Sequence, residues 1–288
     1  MRPKKTKKAI NQTHSRNYKS DKPSLAVKKE LTTLPENAAK ARSGLLLYGY
    51  HSVMSALSNS QREPIQLFAT EEAADKLRAT ITKPLPPLTC LARSQLDKML
   101  RSKQSEQSNL SHQGIILHTK PLDQPDLSDV VNLLYTGKPN RRFLILDQVT
   151  DPRNVGAILR SALAFKTDAV IITSRHAPDE TGALAKAAAG ALEHVPFVRV
   201  NNLARALATL KDHFVTLAGL EASAPTNINQ LAQTAHLGLI MGSEGSGLRR
   251  LTREACDIMA SIDMSENSES LNVSVAAAIA LYATQFHA

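Results

Sequence analysis

Hydrophobic positions along the chain change their spacing near residue 140, and the change divides the elements they predict. Upstream, Tyr50, Val53, Met54 and Leu57 in LLLYGYHSVMSAL fall at i, i+3, i+4 and i+7, the stripe of one helix. PIQLFAT at 64–70, PLTCLA, and GIILHT at 114–119 predict short strands, with EEAADKLRATI as a helix, a small unit of alternating α and β elements. The stretch after Thr119 carries Pro121, Pro125, Gly137 and Pro139 and predicts a linker with one short helix. From Phe143 the alternation becomes regular. FLILD, DAVIIT, PFVRV, FVTLAGL, LGLIMG and a segment ending ASID predict strands. Helices are predicted over 152–165, in ETGALAKAAAGALEH, in NNLARALATLKDH and at the chain end. Strand and helix in turn imply an α/β fold whose parallel sheet is covered on both faces.

Charge separates the N-terminus from the rest. Residues 1–42 hold twelve of the 35 Lys and Arg and three of the 26 Asp and Glu, which leaves 23 of each sign over the remaining chain. The net charge of +9 therefore sits in one basic arm. It has little apolar periodicity and reads as disordered, with order beginning near Leu45. It acts either as a polycation that follows phosphates by releasing counterions or as a solubilising tail. Cys90 and Cys256 form no ligand cluster, so neither a disulfide scaffold nor a metal site is expected, and no run is long and apolar enough to span a membrane. A cytoplasmic protein is expected.

Three motifs in the second half carry candidate chemistry. In DPRNVGAILRSALAF, Asp151 suits an N-cap and Pro152 the first helical position, with Val155, Ile158, Leu159, Ala162 and Leu163 as the core stripe. Arg153 and Arg160 share another face, and the small Gly156 and Ala157 between them leave room for a phosphate; otherwise the arginines merely face water. In LIMGSEGSGLRR, Gly242 and Gly247 have the spacing of a phosphate loop, but Leu248-Arg249 replaces the Lys-Ser/Thr that nucleotide hydrolysis requires. Glu244 in this turn would repel an anion and suits a cationic or hydrogen-bond-donating ligand; a plain structural turn accounts for the glycines. In SIDMSENSESLNVSVAAAIALYATQF, Ser270 can cap a helix starting at Leu271 that is apolar on nearly every side. Such a helix is expected to be buried all round, inside the domain or against a second subunit. Ser270, Asn272 and Ser274 place polar groups at its start, facing a ligand or serving as ordinary caps.

In this order the motifs resemble the SpoU (TrmH/RlmB-type) RNA ribose 2'-O-methyltransferases of the SPOUT superfamily. The resemblance runs through Asn154-Val155-Gly156-Ala157-Ile158 with Arg160, Gly242-Ser243-Glu244-Gly245 with Gly247-Leu248, and Ser270-Leu271-Asn272-Val273-Ser274-Val275-Ala276. Tyr48-Gly49 with Val53 and Leu57, and His112-Gln113-Gly114-Ile115, look like the family's small RNA-binding domain. The resemblance implies a trefoil-knotted parallel sheet with helices on both faces over 141–288, and a small α/β substrate-binding domain over 43–120. The basic arm 1–42 and a linker 121–140 complete the chain. It further implies a homodimer through the C-terminal domain, S-adenosyl-L-methionine as cofactor without a metal, and rRNA or tRNA as substrate, rRNA favoured. Gly242, Ile262 and Leu271 then match the cofactor positions, and Asn154, Arg160, Glu244, Ser270 and Asn272 the active centre.

In the family the position of Arg160 is assigned to activating the ribose hydroxyl. A free guanidinium is essentially always protonated, so Arg160 is expected first to bind the adjacent phosphate and position the hydroxyl. The family usually has Pro at Asp263, Gly at Glu266 and often Ser at Ala188. The two acids flank the cofactor loop and should repel RNA phosphate. The alternative is a non-catalytic knotted RNA-binding protein. An aromatic content of 4%, with no Trp, speaks against a stacking platform.

Overall fold

The computed structural model describes residues 34–41, 44–101, 111–175, 177–265, 267–268 and 270–285. Most of the basic arm and Glu266 lie outside the described residues.

Two sheets follow one another along the chain. The first holds β1 (Leu45–Tyr48), β2 (Pro64–Ala69), β3 (Leu88–Cys90) and β4 (Ile115–Thr119) in the order β1-β4-β2-β3. β4 is antiparallel to both β1 and β2, while β3 runs parallel to β2. Around it lie α1 (Glu36–Ala41), α2 (Tyr50–Ser58), α3 (Glu71–Thr80) and α4 (Arg93–Leu100). Order thus begins earlier than Leu45: α1 buries Ala38 and Ala41 in a cluster with Tyr48, Phe68, Leu96 and Ile116. Its two small apolar residues, three apart, were too short a signal against the surrounding charge. Two motifs meet on this sheet, where Tyr50 N donates to Gln113 Oε1 at 2.8 Å. Gly114 N donates to Nδ1 of the buried His112 at 3.0 Å, and burial lowers the pKa of that imidazole, with Asp97 opposing.

After α5 (Leu127–Leu133), the second sheet is wholly parallel, in the order β7-β6-β5-β10-β8-β11-β9. Its strands are β5 (Arg141–Leu146), β6 (Ala169–Thr173), β7 (Phe197–Val200), β8 (Thr216–Leu220), β9 (Thr226–Asn227), β10 (His236–Met241) and β11 (Ile258–Ser261). Between them run α6 (Pro152–Ala164), α7 (Gly182–Ala188), α8 (Leu203–Asp212) and α9 (Arg250–Ala255), and α10 (Val273–Ala283) closes the chain. The period of two along β5 divides its side chains. Leu144 and Leu146 enter a cluster with α6, α7 and α10, and Phe143 and Ile145 one with α5 and α8. Helices therefore cover both faces.

Three expectations change. ETGALAKAAAGALEH is broken at Ala189 and Gly190, both left-handed at φ 49° and 93°, so α7 ends at Ala188 and a short 3-10 turn follows. Gly156 does not leave room for a phosphate: a Cβ there would stand 2.4 Å from Ala187 Cβ and 2.9 Å from Ala188 N, so it lets α6 and α7 approach closely. Leu163, assigned to the core, is 40% exposed, and α10 is not buried all round, since Val275, Ile279 and Tyr282 are exposed by 46%, 36% and 61%. Together they leave an apolar stripe, and Phe165 meets Tyr282 edge-on with ring centroids 6.0 Å apart.

Arg142 pins the chain end. Its buried guanidinium donates to the carbonyls of Thr284 at 2.7 Å, Arg141 and Ala235 at 3.0 Å, and Ala232 at 3.1 Å. Burial lowers its pKa. Among the described residues no helix is long and apolar enough to cross a membrane.

Candidate active site

The carboxyl end of the parallel sheet is where the strands deliver their loops, as ligand sites in open α/β sheets require. Three segments arrive there from distant parts of the chain: the start of α6, the turn after β10, and the approach to α10.

The turn is built by its glycines. Ser243 and Gly247 form an antiparallel bridge, with N–H···O distances of 3.1 and 3.0 Å. A Cβ at Gly242 would lie 2.2 Å from the Gly247 carbonyl carbon, so no side chain fits there. Ser243 and Ser246 hydroxyls meet at 2.6 Å across the turn. Behind it the buried Asp147, at the end of β5, accepts from Arg249 Nε at 2.6 Å and from Arg249 N at 3.1 Å. Sequence reasoning passed over this pair, although an acid ending a run of buried apolar residues was the available signal.

Glu244 joins the three segments. Its Oε1 accepts from Asn272 Nδ2 at 2.6 Å, from Asn154 Nδ2 at 3.1 Å and from Val273 N at 3.4 Å. Asn272 Nδ2 also lies 3.1 Å from Asn154 Oδ1. Asn272 Oδ1 accepts from Ser274 N at 2.9 Å, so Asn272 is the N-cap of α10. The helix therefore begins at Val273, not at Leu271, and Ser270 is an exposed residue before it rather than the cap. The capping carboxamide places its oxygen on the helix and keeps its N–H₂ for Glu244.

A cavity of about 770 Å³ opens beside this cluster. Gly242, Ile262 and Leu271 line it from three separate segments, and Glu244, Ser270 and Asn272 reach its mouth. The volume is in the range of small-molecule sites. Apolar wall comes from Leu220, Met241, Met259 and Ala260. Arg253, also on the wall, is paired with Glu221 at 2.6 Å. Between α9 and β11, Cys256 is a free thiol pushed up to about 11 by burial, with Asp257 adding to the effect. Asp263 is exposed beside the cavity loop.

Arg160, expected in the active centre, is left out of this arrangement. It lies on α6 six residues beyond Asn154, which is about 9 Å along the axis and on another face. It is exposed, does not line the cavity, and its side chain makes no hydrogen bond or ion pair among the described residues. It sits one turn from Leu163, at the edge of the apolar stripe on α6 and α10.

Residues 141–282 match the model of the SpoU rRNA Methylase family. The chain is 37% identical over 243 residues to the 23S rRNA (guanosine-2'-O-)-methyltransferase RlmB of Coxiella burnetii, covering 83% of this chain and 94% of that protein. It is 38% identical over 237 residues to the protein of the same name from Photobacterium profundum, covering 82% and 95%. Among solved structures, the SpoU methyltransferase AviRb of Streptomyces viridochromogenes in complex with AdoMet aligns with a TM-score of 0.66 at 20% identity, over 91% of this chain and 97% of that one. That likeness shows the shared fold.

Proposed function

The chain belongs to the SpoU rRNA methylase family, and we propose that it transfers a methyl group from S-adenosylmethionine to a ribose 2'-hydroxyl of rRNA. The observation that carries the reading is the Glu244 node, which joins Asn154, Asn272 and the start of α10 at the mouth of a cavity lined by Gly242, Ile262 and Leu271. The names of the relatives favour transfer over the non-catalytic binder and make a guanosine of 23S rRNA the substrate to test first. An rRNA substrate also fits a cytoplasmic protein.

The cavity suits the cofactor on its own features. Its wall is apolar, its backbone is closely approachable at Gly242, and a carboxylate stands at its mouth where a cation is favoured. When bound, S-adenosylmethionine supplies an electrophilic methyl on a sulfonium sulfur. The backbone around Gly242, Ile262 and Leu271 would hold the cofactor, and Ser270 would offer a hydroxyl to a ribose or phosphate oxygen. Glu244 holds the amides of Asn154 and Asn272 in fixed orientations, so that polar groups facing the ribose need not reorganise during transfer. Arg160 binds the phosphate beside the target ribose and so fixes its 2'-hydroxyl for in-line attack.

The position of Arg160 supports a homodimer through the C-terminal domain. A second copy laid on Leu163, Val275, Ile279 and Tyr282 would cover the apolar stripe and bring Arg160 to the interface. A trefoil knot over 141–288 belongs to the same reading. The small sheet, within 43–120, serves as the RNA-binding part.

Transfer of labelled methyl to in vitro transcribed 23S rRNA, paired with calorimetry of S-adenosylhomocysteine, tests the reading. Arg160→Ala should lower transfer about 100-fold or more with cofactor affinity unchanged. Arg160→Lys should fail likewise, since a point charge does not reproduce the planar fork. Arg153→Ala should mainly weaken RNA binding. Full activity in Arg160→Ala overturns the mechanism, and a wild-type protein silent to cofactor overturns the reading.

A further inference from the structure

We infer that a second cavity, across the glycine turn from the first, seats a backbone phosphate of the substrate RNA. The inference rests on the proposed action on rRNA and assigns that substrate a second point of contact. The cavity, about 570 Å³, opens where β5, β6 and β7 end, and is lined by Gln148, Arg175, Asn201, Asn202, Arg249 and Arg250 among others. No Asp or Glu is in its described lining.

Its donors are held in place. Arg249 is fixed on the buried Asp147, and Arg250 Nη1 lies 2.6 Å from Glu254 Oε1, one turn further along α9. Each guanidinium carries five N–H donors, so both keep several free for an anion. Asn202 Oδ1 accepts from Arg205 N at 3.1 Å, which leaves its N–H₂ as a donor at the start of α8. Arg175 supplies the uncompensated charge: its side chain has no hydrogen bond or ion pair among the described residues. Gln148 holds a left-handed backbone at φ 61°, a cost usually retained where a ligand is gripped.

Two facts favour RNA over a free anion. Beyond residue 42 the chain is balanced at 23 charges of each sign, so three arginines around one cavity stand out from their background. The wall is also continuous with the cofactor site, since residues 242–248 line the first cavity and 249–252 the second. A strand that presents its ribose at Glu244 therefore has this cavity as the neighbouring seat.

The test compares wild type with Arg175→Ala and with Arg175→Ala/Arg250→Ala, leaving Arg249 in place because it braces Asp147. Binding to in vitro transcribed 23S rRNA is read by fluorescence anisotropy across salt, independently of methyl transfer. The double variant should bind about tenfold more weakly at low salt, and its slope of log affinity against log salt should be shallower by roughly 0.7 to 0.9, the value of one lost phosphate contact. S-adenosylhomocysteine affinity and kcat at saturating RNA should be unchanged. The single variant, which leaves the Arg250–Glu254 pair intact, should show about half the change in slope, and Lys138→Ala, at the opposite end of the sheet, none. An unchanged slope in both variants overturns the proposal. Submillimolar binding of guanosine monophosphate that the variants lose, with the RNA slope intact, also overturns it and makes this a mononucleotide site. If wild type binds rRNA with the expected slope yet transfers no methyl, the functional reading fails while this one stands.

Discussion

Asn272 donates to Glu244 Oε1 at 2.6 Å while its side-chain oxygen caps α10, so one side chain fixes both the start of the last helix and the carboxylate of the proposed active centre. The two ends of the carboxamide have separate jobs, and substitution can divide them. Asn272→Asp keeps a good cap but sets a second carboxylate against Glu244. Thermal stability should stay within about 1 kcal/mol of wild type, while methyl transfer falls about 100-fold. Asn272→Ala should lose both, with about 1 kcal/mol of stability gone. Melting curves beside transfer assays separate the cases, and an active Asn272→Asp would show that Glu244 needs no donor there.

Gly242→Ala places a methyl 2.2 Å from the Gly247 carbonyl carbon, which only a shift of the turn can relieve. Since the turn lines the proposed cofactor cavity, S-adenosylhomocysteine affinity should fall at least tenfold. Gly245→Ala makes the comparison: nothing lies within 4 Å of its added Cβ, and only its φ of 84° is strained. It should cost stability of about 1 kcal/mol and less affinity. Calorimetry on both variants measures the difference.

Arg142→Met removes four hydrogen bonds and leaves the carbonyls of Thr284, Ala235 and Ala232 without that donor. The expected loss is about 2–4 kcal/mol in urea unfolding. The stripe on α6 and α10 should also become less protected in hydrogen exchange, because the chain end is released first.

Deleting residues 1–33 tests the basic arm without touching α1, whose Ala38 and Ala41 belong to the small-sheet core. Ten basic and two acidic residues are lost. If the arm tracks phosphates, affinity for rRNA should fall and its salt slope flatten, with the melting temperature unchanged. An unchanged slope identifies a solubilising tail.

The sequence alone determined the alternation of β and α from Phe143 onward, because buried parallel strands must be apolar throughout and amphipathic helices must repeat near 3.6 residues. It also placed the residue types of the candidate site: Gly242 in a glycine-rich turn after a buried strand, and Asn154, Glu244 and Asn272 as polar groups in three separate motifs. Tertiary structure alone decided which of them meet. The separations of 90 and 118 residues from Asn154 to Glu244 and Asn272 vanish only when β5 and β10 pair in register and α10 packs beside α6. Local patterns misjudged Gly156 for the same reason: its neighbour is Ala187, on another helix, and spacing along one helix says nothing about what approaches it. β5 was read two residues short because Arg141 and Arg142 look like solvent-facing charge. They are buried in the strand, where Asp168 and backbone carbonyls supply the partners that only the folded chain brings to them.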